Sequence, residues 1–159
     1  MSDLDQPKFL IAMHSSSETL GVAVLNCSNP DQSQLIKTFP IGRKLSNNLL
    51  SCVEELLPAE YWAQISRIAV ATGPGGFTGT RLTIVMARTL AQQLGCALDG
   101  ISSFELMAPR LSKKLDSNQL NNPFWIIRRL PRRGIVGGRY IIEVQSKINT
   151  RKQVIELKA

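Results

Sequence analysis

A glycine-rich segment, residues 73–81 with the sequence GPGGFTGTR, has the residue types best suited to binding a ligand. Glycine permits positive φ and close approach of the backbone, and the helix predicted after the segment would offer free N–H groups to an anion. The segment is not a Walker A loop, because Gly-x-x-x-x-Gly-Lys-Ser/Thr is absent and Arg81 does not replace its lysine. The sequence leaves two interpretations open: a turn that the fold requires, or a site for a ligand or partner. The residues of this motif are Gly73, Pro74, Gly75, Phe77, Thr78, Gly79 and Arg81.

Histidine and cysteine, which commonly bind metals or act in catalysis, are scarce in the chain. His14 is the only histidine, and the three cysteines, Cys27, Cys52 and Cys96, are odd in number and widely spaced. Cysteines set among apolar residues at such spacing favour buried free thiols over a disulfide framework or a zinc site. We expect His14 to end a strand and to be held by hydrogen bonds. The pattern of histidine and cysteine argues against a metal site, and we expect no catalytic residue and no cofactor of the chain's own.

The positive charge of the chain is concentrated toward its C-terminal end. Residues 1–109 contain seven Lys/Arg and nine Asp/Glu, a balance of −2, whereas residues 110–159 contain twelve and three, a balance of +9. Two interpretations stay open: a solvated basic tail, or an electrostatic contact with RNA or an acidic partner. The candidate RNA contacts are Arg128, Arg129, Arg132 and Arg133.

Length and composition predict a globular chain with one substantial core and a small appendage. The 159 residues are 43% apolar, and none of their apolar runs is long enough to span a membrane. The first seven residues are acidic and polar, unlike a secretory signal or a transit peptide. The sequence therefore favours the cytoplasm.

The elements of the N-terminal part follow an α/β order. Three β-rich runs at hairpin spacing predict an antiparallel meander, and the runs after it alternate between helix and strand. A run without polar alternation precedes the glycine-rich motif, as in a strand covered on both faces. The predicted strands are residues 9–13, 19–25, 34–39, 67–72 and 97–101. The predicted helices are residues 45–57, residues 82–94, and a third that begins at a capping box, 102–105, and meets Pro109.

The C-terminal part is predicted to be smaller and β-rich. Residues 112–123 are polar and typical of a linker, and strands are expected at residues 124–127, 139–144 and 154–157 around a turn at 131–134. The expected domains are therefore an α/β domain over residues 1–111, the linker 112–123, and a basic β-rich part over residues 124–159.

The helix predicted at residues 82–94 is apolar over more than one face. Such a helix needs cover on two sides, and Ala87 with Ala91 leaves a smooth strip for close helix approach. We expect a sheet behind it and another helix, from this chain or another, in front. Burial in the monomer's own core is the alternative for the same side chains. The candidate partner-interface residues are Leu49, Val53, Leu82, Val85, Met86, Ala87 and Leu90.

The order of elements and the motif together resemble a known family. Strand, strand, strand, helix, strand, helix, strand is the order of the actin-like, sugar-kinase-like ATPase half-domain. GPGGFTGTR, followed by residues 87–91 and 101–105, resembles the TsaB (YeaZ) signature Gly-Pro-Gly-Ser-Phe-Thr-Gly-Leu-Arg with its downstream helix and Ser-Ser segment. Residues 11–18, IAMHSSSE, resemble the family's Leu-Ala-Ile-Asp-Thr-Ser-Thr-Glu. The resemblance extends over residues 9–110 and predicts a short variant of the family, with its second domain cut down.

The resemblance implies a function in tRNA processing. TsaB proteins take part in forming threonylcarbamoyladenosine beside the anticodon, as partners of the catalytic relative TsaD, with the small ATPase TsaE joining the assembly. The family's dimer interface is a helix bundle that corresponds here to residues 45–57 and 82–94. The resemblance thus implies a non-catalytic scaffold or activator of TsaD, with ATP and Mg²⁺ at the partner complex, a homodimer in isolation, and tRNA contact through the basic region.

Departures from the superfamily pattern bear on catalysis. His14 stands where the superfamily keeps an aspartate in its first phosphate loop, and a neutral imidazole is a poor substitute for a carboxylate that holds Mg²⁺. The catalytic relatives bind metal through a His-x-x-x-His pair, which a chain with one histidine does not contain. The alternatives are a metal-dependent glycoprotease-like or small kinase-like enzyme of the same superfamily, and a basic RNA-binding module.

Overall fold

The computed structural model of the chain describes residues 8–29, 34–116, 122–130, 134–145 and 151–156. The chain divides into two compact units, Met1–Ile101 and Ser102–Ala159. The sequence favoured a division after residue 111, and the difference is the third helix, which clusters with the second unit.

A five-stranded sheet forms the first unit, with the strand order β3-β2-β1-β4-β5. The neighbours β1, β2 and β3 pair antiparallel, which confirms the predicted meander, while β4 and β5 join in parallel. The strands are β1 (Phe9–His14), β2 (Leu20–Asn26), β3 (Gln34–Phe39), β4 (Ile65–Ala71) and β5 (Ala97–Ile101).

Two helices cover one face of this sheet, α1 (Leu45–Leu56) and α2 (Phe77–Leu94). Alternate residues of the strands face them: Ile11 and Met13 on β1 lie opposite Val24 and Val22 on β2, and all four are buried. This alternation is the period-2 pattern of a strand with one face in the core. Short 3₁₀ helices, Gly42–Lys44 and Ala59–Gln64, flank α1.

Helix α2 begins five residues earlier than predicted, so that the second half of the glycine-rich motif is helical. Gly76 is the N-cap, and the Thr80 N–H donates to the Gly76 carbonyl at 3.0 Å. Composition hid this start, because glycine is a poor helix former, and only a tertiary contact at Gly79 explains its presence. The end agrees with the prediction, since Gly95 caps the helix with a φ of 63° in the left-handed region.

The second unit contains α3 (Ser103–Ser112) and an antiparallel sheet of β6 (Phe124–Leu130), β7 (Gly134–Gln145) and β8 (Arg151–Glu156), in that order. Ser102 is the N-cap of α3 as the capping pattern predicted, and its side chain accepts a hydrogen bond from the Phe104 N–H at 3.2 Å. The helix runs through Pro109 to Ser112.

Strands β6 and β7 are longer than predicted. Arg128 and Arg129 pair with Val136 and Ile135, although neither an arginine pair nor the nearby glycines suggest a strand by composition. The predicted turn falls mostly on residues 131–133, outside the described residues, but Gly134 has a φ of 79° as a turn end requires. Among the described residues, the core cluster of this unit is Phe104, Ala108, Ile126 and Tyr140.

Candidate partner surface and glycine-rich motif

The first half of the glycine-rich motif packs directly on the loop that follows β1. A Cβ added at Gly75 would lie 2.3 Å from Ser16 Cβ and 2.5 Å from Ser16 Cα, so only glycine fits there. The neighbouring Gly76 N–H donates to the Ser16 carbonyl at 2.9 Å. Gly73 adopts a φ of 91°, which favours glycine, and the Gly73–Pro74 peptide is cis. The motif therefore holds two backbone segments together.

The second half of the motif makes a buried hydroxyl cluster with the same loop. Ser15 Oγ lies 3.1 Å from the Gly79 carbonyl and 2.6 Å from Thr83 Oγ1, and Thr83 Oγ1 lies 3.1 Å from that carbonyl. Each hydroxyl has one proton, so one donates to the other and the second donates to the carbonyl. A side chain at position 79 would be crowded, because its Cβ would lie 3.1 Å from the Ser15 carbonyl oxygen. Sequence reasoning missed Ser15 and Thr83, whose roles depend on this long-range contact.

His14 lies at the end of β1, as predicted, and its ring is hydrogen-bonded. Its Nε2 lies 2.6 Å from Ser16 Oγ, which is buried beneath Gly75. The imidazole and the hydroxyls of this loop thus bond to protein groups. The geometry favours the first interpretation of the motif, a turn that the fold requires.

Helix α2 presents a stripe of exposed side chains that starts inside the motif. The guanidinium carbon of Arg81 lies 3.7 Å from the centroid of the Phe77 ring, a cation–π contact one helical turn apart. Val85 follows one turn later and is 61% exposed. On α1, Leu50 is about half exposed. We call Phe77, Arg81, Val85 and Leu50 the partner surface.

The candidate interface residues divide between the core and the surface. Leu49, Val53 and Ala87 are buried in the core of the first unit, which is the alternative that the sequence left open. Leu82, Met86 and Leu90 are half-buried and pack against that core. Val85 alone of the seven is largely exposed. Leu50, which was not among the candidates, and Phe77, which was named only as part of the glycine-rich motif, are also exposed.

The candidate RNA contacts do not form one surface in the described structure. Arg128 and Arg129 are neighbours on β6, so their side chains leave opposite faces of the sheet. Arg129 is exposed, whereas Arg128 is half-buried and shares its face with Ile126 and Leu130. Arg132 and Arg133 lie outside the described residues.

All three cysteines are free thiols, but they are not equally buried. Cys52 is buried on α1 and Cys96 is half-buried, whereas Cys27 is exposed, so the expectation of burial is wrong for Cys27 because it follows the end of an antiparallel strand. Burial raises the pKa of Cys52, and Glu55 raises it further. Burial also raises the pKa of Cys96.

The described residues contain neither a metal-binding cluster nor a membrane-spanning helix. Within these residues, no group of three His, Cys, Asp or Glu side chains could hold a metal ion. None of the helices in the part of the chain that the structure describes has the length and apolar character to cross a membrane.

Comparison with known proteins points to one group. The family model TsaD, described as tRNA N6-adenosine threonylcarbamoyltransferase, matches residues 40–127. The tRNA threonylcarbamoyladenosine biosynthesis protein TsaB of Bacillus subtilis is 28% identical over 107 residues, 62% of this chain and 43% of the relative. The protein of the same name from Buchnera aphidicola is 26% identical over 127 residues, 76% of this chain and 54% of the relative. The chain thus spans about half the length of the curated relatives that it matches.

A solved structure agrees with these relatives. YeaZ from Pseudomonas aeruginosa superposes with a TM-score of 0.68 at 23% identity, over 94% of this chain and 67% of that one. A second structure from that organism, described as similar to peptidase YeaZ, gives the same TM-score at 24% identity, over 94% of this chain and 66% of that one. The likeness, with the observed strand order, confirms the predicted fold class, an actin-like ATPase-type α/β half-domain.

Proposed function

The chain belongs to the TsaB (YeaZ) family, and we propose that it is a non-catalytic partner of TsaD in forming threonylcarbamoyladenosine on tRNA. The names of the two curated relatives support the tRNA modification, and the TsaB name implies TsaD as the partner in that pathway. The proposal extends to a cytoplasmic complex that TsaE joins, in which ATP and Mg²⁺ bind to the partner proteins.

The partner surface is the observation that carries this proposal. Val85 and Leu50 are apolar side chains exposed on α2 and α1, the helices that the family resemblance assigns to the dimer interface. The Phe77–Arg81 pair adds an aromatic ring and an arginine, two of the side-chain types enriched where proteins bind each other. The surface is continuous along α2 at one-turn spacing.

The glycine-rich motif supports the non-catalytic part of the proposal. Ser15, Ser16 and His14 all hydrogen-bond to protein groups in the loop that the superfamily uses for phosphate. The backbone of Gly75 lies against that loop. We infer that the motif sets the position of α2, and hence of the partner surface, rather than gripping a phosphate.

Light scattering after size-exclusion chromatography tests the partnership with purified TsaD of the same organism. A one-to-one heterodimer is expected at micromolar concentration, and Val85→Glu should weaken it at least about tenfold, because a buried unpaired carboxylate costs more than 1.4 kcal/mol. The same run without TsaD shows whether the chain forms a homodimer alone.

Ile36→Glu is the matched control for this experiment. Ile36 is 65% exposed on β3 and pairs with Ala23, on the sheet face away from α1 and α2. The variant makes the same chemical change and should bind TsaD like the natural chain. A chain that stays monomeric beside TsaD, or equal weakening by the two variants, contradicts the proposal.

A further inference from the structure

In the described part of the second unit, helix α3 covers one face of the sheet, and the β6 and β7 side chains on the other face are exposed. Ile126 and Tyr140 point toward Phe104 and Ala108 of the helix and form the core with them. The alternate residues of β6 and β7 point the other way. On that second face Trp125 lies opposite Arg139, Ile127 opposite Gly137, and Arg129 opposite Ile135, and we call these six residues the open face.

The apolar side chains of the open face are among the most exposed apolar side chains that the structure describes. Trp125 is 64% exposed, Ile127 67% and Ile135 69%. A soluble protein rarely gathers three such side chains on adjacent strands without a binding role. Their proximity follows from the strand register, and the sequence alone did not reveal it.

Gly137 has no side chain, so the surface of the open face is flat beside the indole ring of Trp125. A Cβ added there would lie 3.3 Å from Trp125 Cε3 and 3.2 Å from Ile127 Cγ2, so both side chains lean toward the glycine. A larger residue at 137 would push the ring away from the sheet. The arrangement leaves the Trp125 ring supported from one side and available from the other.

An exposed arginine lies at each end of this apolar patch. Arg139 is opposite Trp125, and Arg129 is four residues along β6 from Trp125, about 13 Å at the rise of a strand. Residues 110–159 carry a balance of +9, so the arginines belong to a strongly basic part of the chain. An exposed aromatic ring, with one cation beside it and a second at the other end of the patch, matches a ligand with planar groups and regularly spaced negative charges.

Single-stranded nucleic acid fits this pattern better than the other occupants. A second copy of the chain would bring two basic surfaces together against their mutual repulsion. An acidic protein segment would form ion pairs with Arg129 and Arg139 but would not stack on an exposed indole ring as a base does. Nucleic acid offers both bases that stack on aromatic side chains and phosphates that pair with arginine.

We propose that the open face binds single-stranded RNA, with a base stacked on Trp125 and phosphates held by Arg129 and Arg139. The choice of RNA over DNA rests on the proposed function in tRNA modification, whereas the geometry is a property of the second unit. Arg128 has no direct part in it, because it points to the other face of the sheet.

The test measures binding of a fluorescein-labelled single-stranded oligoribonucleotide of about ten nucleotides to the full chain, by anisotropy and by quenching of tryptophan fluorescence. The single strand should bind more tightly than a duplex of the same sequence and should quench the tryptophan emission. Trp125→Leu keeps an apolar side chain but should abolish most of the quenching and weaken binding about tenfold. Arg129→Gln and Arg139→Gln should each lower the salt slope by about 0.7.

Arg110→Gln is the matched charge control. Arg110 is exposed on α3, the helix that covers the opposite face, and its loss removes the same charge without touching the open face. It should leave the quenching intact. Circular dichroism of each variant verifies the fold, and Ile135→Ser offers a second change on the same face, expected to weaken the single strand and not the control duplex.

Four outcomes would overturn the proposal. They are no binding at low salt, equal affinity for single strand and duplex, equal effects of Trp125→Leu and Arg110→Gln, and a Trp125→Leu variant that loses self-association while keeping its RNA affinity. None of these results depends on TsaD, so a failure here is distinct from a failure of the TsaD association.

Discussion

At the scale of single residues, Gly75 and Gly79 of the motif matter because a Cβ at either position would crowd the loop after β1. Gly75 and Ser16 are in backbone contact across 59 positions of sequence, and the buried hydroxyl cluster of Ser15 and Thr83 lies next to them. The motif is thus a packing device whose residues are determined by van der Waals distances. This explains why glycine is required at position 75, and why a side chain at position 79 would be tightly packed, although neither residue has a positive φ.

Gly75→Ala should destabilise the first unit by about 1–3 kcal/mol, because the added Cβ overlaps the Ser16 backbone and one segment must move. Gly76→Ala is the control. Its Cβ would meet only the Ser16 carbonyl at 3.9 Å, an ordinary contact, so the loss should be less than about 1 kcal/mol. Urea unfolding measures both, and equal losses would show that the contact is not rigid.

Tyr140 links the stability of the second unit to alkaline pH. Burial raises the pKa of Tyr140, and the carboxylate of Glu156 raises it further. Because the folded-state pKa lies above the unfolded value of about 10, ionisation favours the unfolded chain, and stability present at neutral pH is lost as pH rises past 10.

Tyr140→Phe should therefore reduce the fall in unfolding free energy above pH 10, relative to the natural chain. Tyr61→Phe is the control, since Tyr61 is exposed in the first unit and is the only other tyrosine. Urea midpoints measured from pH 8 to 11 give the two slopes. Parallel curves for the natural chain and Tyr140→Phe would contradict the linkage.

At the scale of elements, helix α2 serves two surfaces at once. Its inner face buries Thr83, Ala87 and Ala91, and its outer face exposes the stripe of Phe77, Arg81 and Val85. The small inner residues let the helix lie close to the sheet and to α1. Close approach was predicted from the strip formed by Ala87 and Ala91. The strip is therefore internal, and the partner surface is on the other side.

Ala87→Leu should destabilise the isolated chain by about 1–3 kcal/mol, since three more carbons enter a fully buried site. Val85→Leu is the control on the same helix, where the larger side chain extends into solvent and should change stability by less than about 0.5 kcal/mol. Thermal unfolding without TsaD distinguishes the two. A stable Ala87→Leu monomer that fails only to bind TsaD would place the strip outside.

At the scale of the whole molecule, the two units differ in core and in charge. The first unit builds its core from both helices and the central strands, whereas the described core of the second consists of Phe104, Ala108, Ile126 and Tyr140. The basic residues concentrate in the second. We associate the first unit with the protein partner and the second with RNA.

Hydrogen exchange should reveal this difference. Amides of β1 and β4, in the middle of the five-stranded sheet, should exchange slowest, and those of β6 and β7 faster, because the second unit is the shorter one and a shorter unit buries a smaller share of its surface. Mass spectrometry of peptides from the intact chain measures the protection. Equal protection of the two sheets would mean that the units unfold together.

Local patterns allowed much of the fold to be predicted. Short apolar and β-rich runs located β1 to β5, the period of the apolar residues located α1, Gly95 marked the end of α2, and Ser102 marked the start of α3. These features depend on a residue and its near neighbours in sequence, such as a cap, a left-handed glycine or an alternating strand. The family motif is likewise legible in nine consecutive residues.

Non-local contacts decided the rest. The early start of α2, the lengths of β6 and β7, and the placement of α3 in the second unit all depend on partners distant in sequence. The sequence also did not reveal which way these side chains point. Ala87 is buried and Val85 exposed although both are apolar and lie on the same helix, and Arg128 and Arg129 leave opposite faces of one strand.

The sequence by itself therefore determined which elements form and to which family they belong, because propensity, periodicity and capping act within a few residues. Only the tertiary structure decided which side chains face solvent, because burial depends on what the rest of the chain brings to each face. The glycine-rich motif is identified by its sequence, but its role as a clamp on the loop after β1 follows from the contact between Gly75 and Ser16.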